Sequence, residues 1–435
     1  MRKNKKNIVI LSLCLVILFQ SFVSFSKDFL PPYRNNKDVT LKVLSWFSEP
    51  KDVLKEFKRK YRNIEVEWIQ IKYSDYYSKL SESIQDPDKC PDLVFVELPL
   101  LNYYANQKQL MNLSKMGADL YYKEMFKEWL WNAAGRIEVV PIIGGPDCYS
   151  CAKIPTEPKL QVYGLPYILG PAVLFYDEKF LKKNNLSVPK DWNDFEKISE
   201  RFSKDSSDKK LLAISNDPSF LIGFSWRNGE RVLSYSQQNM NYYFNFDVES
   251  LNRLFEEFKS LYSQEALEFL SFDKMLERSS EFVFMIAPHW FARCLNGFKF
   301  ANVPPLSNRS SKVFDLDTIT LSIPRNSTNP VEAFLLAGWL SCSKYSTSYL
   351  EKSGLIPSVN YNSLKFKDLN LKTLDGPDMT FLYPDILKKF YDEILNDSIS
   401  SGKLNRVSKI LQEKLRSFFS SNKYLLLLPK GESCE

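Results

Sequence analysis

His289 is the only histidine in 435 residues, and that single imidazole bounds the chemistry the chain can perform. A His-rich zinc centre or an HExxH metalloprotease needs two or more imidazoles, so both are excluded. A Ser-His-Asp triad could use only His289. The seven cysteines add little. Cys148-Tyr-Ser-Cys151 has CxxC spacing but no second pair, so it reads as a local disulfide or two free thiols rather than a zinc site. No thioredoxin-like βαβ pattern surrounds it, which removes the redox reading. Neither a metal nor a cofactor is expected. What the chain has in abundance is 8 Trp, 23 Tyr and 32 Phe beside 52 Asp plus Glu. Flat rings cover apolar faces, and carboxylates and amides accept and donate hydrogen bonds, so these are residue types for noncovalent recognition.

Charge narrows the partner. The chain has 58 Lys plus Arg and a formal charge of +6, but Arg2, Lys3, Lys5 and Lys6 supply much of it. They precede twelve uncharged residues, Ile8 to Phe19, with small Ser24 and Ser26 beyond. This is the build of a secretory signal, residues 1–26, cut after Ser26. An uncleaved anchor is the alternative, since Ile8 to Phe25 has 18 residues. Cys14 fails as a lipid-attachment site because bulky Leu13 precedes it. The remaining chain is nearly neutral and gives no case for nucleic acid. It is expected to be exported, either periplasmic or tethered by the uncleaved N-terminal segment.

The elements that must position the recognition residues alternate. Val39 to Trp46 reads as a strand, Glu49 to Tyr61 as a helix, and Ile64 to Ile71 as a half-buried strand. Ser74 to Ile84 reads as a helix N-capped by Ser74, and Pro91 to Val96 as a buried strand. Such alternation builds an α/β fold around a mainly parallel sheet. Ligands gather at the carboxyl ends of its strands, where Trp46, Glu49, Tyr73 and Glu97 fall. Gly135 to Lys159, with paired glycines and four prolines, reads as a loop or insertion. Trp68, Trp129, Trp131 and Trp339 are expected in packing, Trp339 within the apolar helix Ala333 to Leu340. Pro384 to Phe419 has helical periodicity.

Longer phrases are more specific. Val162 to Tyr176, containing Tyr163-Gly-Leu-Pro-Tyr167, runs into Asp177 to Phe195 with its Pro189-Lys-Asp-Trp192. This stretch resembles the extracellular solute-binding proteins of ABC importers, in particular the maltose-binding-like carbohydrate binders. Pro91 to Ser114, Leu221 to Leu233, Asn245 to Asp247, Phe284 to Trp290, Asn329 to Phe334 and Gly354 to Pro357 resemble further phrases of that family in the same order. The match spans roughly residues 38 to 420. There are departures. Pro288 and His289 stand where the family usually has a glycine before its tryptophan, no glycine-rich loop precedes Asp315 to Ile323, and glycines number only 14.

The resemblance implies a two-lobe, periplasmic-binding-protein-like (type II) clamshell of interleaved lobes with the ligand cleft at the hinge. One lobe would comprise residues 38–166 and 302–354, the other residues 167–301 and 355–423, with a tail at 424–435. Crossings fall near Leu165 to Pro171, Asn302 to Asn308 and Leu355 to Ser358. Ligand contacts are assigned to Trp46, Glu49, Tyr73, Glu97, Tyr167, Trp226, Asn228 and Trp290. His289 is read as part of a capped turn, and Trp290→Ala should weaken binding while sparing the fold. The implied function is capture of a sugar or oligosaccharide by a monomer that delivers it to a membrane permease driven by ATPase subunits, without catalysis. The alternatives are a same-fold binder of a polyamine, peptide or anion, an exported glycoside hydrolase with paired carboxylates, and a sensory relative without transport.

Overall fold

The computed structural model describes residues 30–141, 156–202, 209–215, 233–238, 241–246, 266–305 and 313–359, with single positions between 220 and 261 and Leu369. Residues 1–29, Cys148 and Cys151, the Pro384 to Phe419 stretch and residues 424–435 lie outside the described residues.

Two sheets organise the chain. The first begins with three parallel strands, β1 (Val39–Ser45), β2 (Ile64–Gln70) and β3 (Leu93–Glu97), which pair with β1 in the middle. Helix Lys51–Lys60 forms the first crossover; it buries Val53, Leu54 and Phe57 on one stripe and has Asp52 in its first turn and Lys58, Arg59 and Lys60 in its last, matching the helix dipole. Helix Tyr73–Gln85 forms the second. It starts one residue earlier than the sequence suggests, with Lys72 at the N-cap and no side-chain cap; the Ser74 hydroxyl donates instead to Asp75.

The next strands form a ribbon. β4 (Gly135–Pro141) and β5 (Thr156–Val162) pair antiparallel from Gly135 opposite Val162 to Pro141 opposite Thr156. The sequence reading of Gly135 to Lys159 as a loop is corrected at both of its ends. Proline does not forbid this arrangement, because in a two-stranded ribbon each strand has one edge that needs no N–H donor.

β6 (Leu165–Leu169) returns to the first sheet and β7 (Ala172–Asp177) opens the second. The second sheet is completed by β8 (Lys210–Ser215), β11 (Leu267–Leu270), β12 (Phe282–Pro288) and β13 (Phe298–Asn302), in the order β11-β8-β12-β7-β13. Between them in sequence, β9 (Leu233–Gln238) and β10 (Asn241–Phe246) make a separate hairpin. The chain then re-enters the first sheet through β14 (Ile319–Ser322) and β15 (Ile356–Pro357), giving β15-β6-β14-β3-β1-β2. β3, β6 and β12 are buried at every position, which is why they read as unbroken apolar runs rather than alternating ones.

Helix Pro330–Cys342 packs on β6 and on helix Lys51–Lys60, with every residue from Glu332 to Cys342 buried. Trp339 lies in this core and its indole N–H donates to the Val53 carbonyl at 3.2 Å. Cys90, Cys294 and Cys342 are free thiols, and burial pushes the Cys90 thiol up to about 11.

Candidate functional site

The carboxyl ends of β1 and β3 and the turn after β12 bring aromatic side chains from both sheets together. Trp46 follows β1 directly and is 7% exposed; its ring centroid lies 4.6 Å from Tyr76, 5.5 Å from Tyr73 and 6.0 Å from Phe95. Trp290 sits in the short 3-10 turn His289–Arg293 that continues β12. It is fully buried, 6.1 Å from Trp46, 6.0 Å from Phe47 and 5.4 Å from Tyr73, so it spans the two sheets. Its indole N–H donates to the Asp317 carbonyl at 3.2 Å, on the segment that returns to β14.

Helix Tyr73–Gln85 fixes the polar part of the cluster. The Tyr73 hydroxyl donates to a Glu97 carboxylate oxygen at 2.6 Å, and the Tyr77 hydroxyl accepts the Glu97 backbone N–H at 3.1 Å. The Tyr76 hydroxyl reaches the Leu44 and Phe95 carbonyls at 3.1 and 2.7 Å and accepts the Phe95 N–H at 2.9 Å. These bonds satisfy backbone groups where β1 and β3 end, so the helix start and the strand ends are held as one unit. Burial raises Tyr76 and Tyr77 well above the usual phenol range, which keeps both hydroxyls protonated.

Beside this cluster lies a cavity of about 230 Å³. The first sheet and its flanks supply Trp46, Phe47, Trp68, Gln70, Phe95 and Tyr167; helix Lys344–Lys352 supplies Tyr349 and Leu350, and the turn after β12 closes it with Arg293 and Cys294. Its walls are aromatic, with an amide, the Ser48 hydroxyl and one guanidinium for polar contacts.

Of the candidate residues, Trp46, Tyr73, Glu97 and Trp290 converge, and Tyr167 lines the cavity with its ring 5.6 Å from Phe95. Glu49 is exposed; its neighbours Ser48 and Pro50 line the cavity and it does not. Trp226 and Asn228 lie outside the described residues. Trp68, expected only in packing, is also a cavity wall, with its indole N–H donating to the Phe47 carbonyl at 2.9 Å. Sequence reasoning passed over Phe47, Phe95, Gln70 and Arg293. The period of two that puts Trp68 and Gln70 on one face of β2 was available as a signal; nothing local marks Arg293.

His289 does not cap the turn; Pro288 stands at the N-cap without a side-chain bond. The imidazole is fully buried, edge-on to Phe300 at 4.7 Å, and burial pushes its pKa down to about 4. The unfolded chain binds that proton near 6.5, so stability from His289 is present above that value and is lost as the pH falls toward 4. Asp315, raised by burial to about 6, works in the opposite direction and partly offsets the loss. The stability gap between wild type and His289→Leu should therefore shift by about 2 kcal/mol in favour of the variant from pH 7 to pH 5, read from urea titrations. A gap constant over that range would mean the imidazole does not titrate as a buried base.

Comparisons with known proteins agree with this architecture. The sequence pattern described as bacterial extracellular solute-binding protein matches residues 52–369. No curated protein matches the sequence. Among solved structures, the GacH receptor of Streptomyces glaucescens, determined unliganded and with acarbose, is 14% identical with a TM-score of 0.63, covering 87% of this chain and 98% of that one. Maltose-bound MalE3 of T. maritima is 14% identical with a TM-score of 0.61, covering 86% and 100%. UgpB of Mycobacterium tuberculosis, in complex with glycerophosphocholine, is 13% identical with a TM-score of 0.64, covering 87% and 99%. These likenesses show the two-lobe α/β fold with interleaved lobes. With its family pattern spanning most of the chain, the protein belongs to the bacterial extracellular solute-binding proteins.

Proposed function

We propose that this protein captures a carbohydrate-type solute between its two lobes and delivers it to a membrane permease powered by ATPase subunits. The observation that carries the reading is the aromatic junction of Trp46, Tyr73 and Trp290 at strand ends of both sheets, beside an aromatic-walled cavity. A sugar offers apolar C–H faces to the cavity's rings and hydroxyls to Gln70 and Ser48. The first lobe carries β1 to β3, β6, β14 and β15, the second β7, β8 and β11 to β13, and the hinge includes Gly170-Pro171 and the Asp315 to Asp317 segment bonded to it. Ligand that touches both lobes favours the closed arrangement by its differential affinity for it. The working form is an exported monomer, periplasmic or held by its N-terminal segment.

A thermal-shift screen of residues 27–435 against mono- and oligosaccharides tests this. A ligand that binds only the native state adds about 2.7 kcal/mol at 100 times its dissociation constant, so a matching sugar should raise the melting temperature clearly. Shifts with polyamines or peptides and none with any sugar or sugar acid would overturn the carbohydrate reading.

A further inference from the structure

The cavity is unbalanced in its polar chemistry. Arg293 lines it, remains exposed to solvent, and has no ion-pair partner among the described residues. Trp46 lines it too, and its buried indole N–H has no acceptor among the described residues. Among the described residues none that lines the cavity is Asp or Glu; Glu49, the nearest acid in sequence, is exposed outside the lining set. Among its described residues the site therefore offers a guanidinium and an indole N–H as donors, with amide and hydroxyl groups beside them, and no carboxylate to neutralise the cation.

Size adds a second constraint. At about 230 Å³ the cavity is smaller than the 300–1,000 Å³ typical of drug-sized sites, and it equals roughly seven or eight waters at ~30 Å³ each. One sugar ring or a body of similar size fits that volume.

We propose that the solute is an acidic molecule about as large as one sugar ring, whose carboxylate or phosphate is held by Arg293 while its body lies against Trp46, Trp68 and Tyr167. This rests on the solute-capture reading above and narrows its ligand class. Arg293 follows Trp290 by three residues on the turn after β12, so it arrives from the second lobe while the aromatic walls belong to the first. An anion paired with Arg293 thus contacts both lobes, which is the condition for favouring closure. A charge-assisted bond to a guanidinium is about twice as strong as a neutral one, enough for at least a tenfold preference over a neutral analogue.

The test measures dissociation constants by calorimetry on the mature chain for two matched pairs, D-glucuronate with D-glucose and glycerol 3-phosphate with glycerol. The acid of at least one pair should bind ten or more times tighter, and the pair that shows this distinguishes carboxylate from phosphate. Arg293→Gln should bring the two members within about twofold, and raised salt should weaken the acid alone. Equal binding of acid and neutral analogue in the wild type, or a preference that survives in Arg293→Gln with its unliganded melting temperature unchanged, overturns the proposal and leaves the carbohydrate reading standing. Binding of no member of either pair, with no sugar or sugar acid active in the thermal-shift screen, overturns both.

Discussion

Gly170→Ala should lose about 3 kcal/mol of stability, a large share of the ~5–15 kcal/mol that holds a native fold together. A methyl group at that position would sit 1.8 Å from the Asp317 carbonyl oxygen and 2.4 Å from its carbon. Both are backbone atoms, so no side chain can swing aside. The approach is close because the two interlobe segments bond to each other: the Gly170 carbonyl accepts the Leu316 and Asp317 N–H groups at 2.9 and 3.1 Å. Asp315 stiffens the same place by accepting the Thr318 hydroxyl at 2.8 Å and the Thr318 N–H at 3.2 Å. Glycine here serves close backbone approach, not an unusual dihedral angle. Gly297 gives the control, since it sits at φ +82° with nothing within 4 Å of a would-be methyl. Gly297→Ala should cost only the left-handed backbone penalty, about 1–2 kcal/mol. Urea midpoints of the two variants separate the causes, and equal losses would mean that the crossing relaxes around the methyl.

How far the sequence could be read follows from the range of each interaction. Strand and helix periods repeat within a few residues, so β1, β2, β3 and helix Lys51–Lys60 were placed to within about two residues. Trp46 and Glu97 could be placed at strand ends because a strand's carboxyl end is itself a local feature. Glu49 satisfied the same rule and does not line the cavity, because the turn after β1 is irregular and no period dictates where its fourth residue points. The ribbon of β4 and β5 was missed because glycine and proline signalled a break, while the pairing that makes a strand there is between residues some twenty apart. The cavity lies further beyond local reading: Trp46, Tyr167, Arg293 and Tyr349 meet only after the chain has crossed between the sheets. Arg293 in particular shows neither period nor motif; its significance lies in which side chains face it.

Trp290→Ala should lower stability by about 3–5 kcal/mol, the usual cost of emptying a buried aromatic site, and also weaken ligand binding at least tenfold. On sequence alone the substitution should touch binding and spare the fold. Complete burial adds the first cost, because no solvent-facing platform exists in this arrangement. The two effects can be separated by following the ring's neighbours. Phe291 at 4.7 Å and Phe272 at 6.4 Å come from the second sheet's side, so losing them loosens one lobe. Trp46, Phe47 and Tyr73, with the bond to the Asp317 carbonyl, lie across the junction, so losing them disfavours closure. Phe272→Ala removes packing on the second-lobe side and leaves Trp290 against the first lobe. It should lower the melting temperature with little change in affinity, whereas Trp290→Ala should lower both. Solution scattering should show the same split, with Trp290→Ala expanded in the absence of ligand and Phe272→Ala not. If Trp290→Ala binds ligand as the wild type does, the junction is packing alone, and the energy for closure must come from Arg293 and the cavity walls.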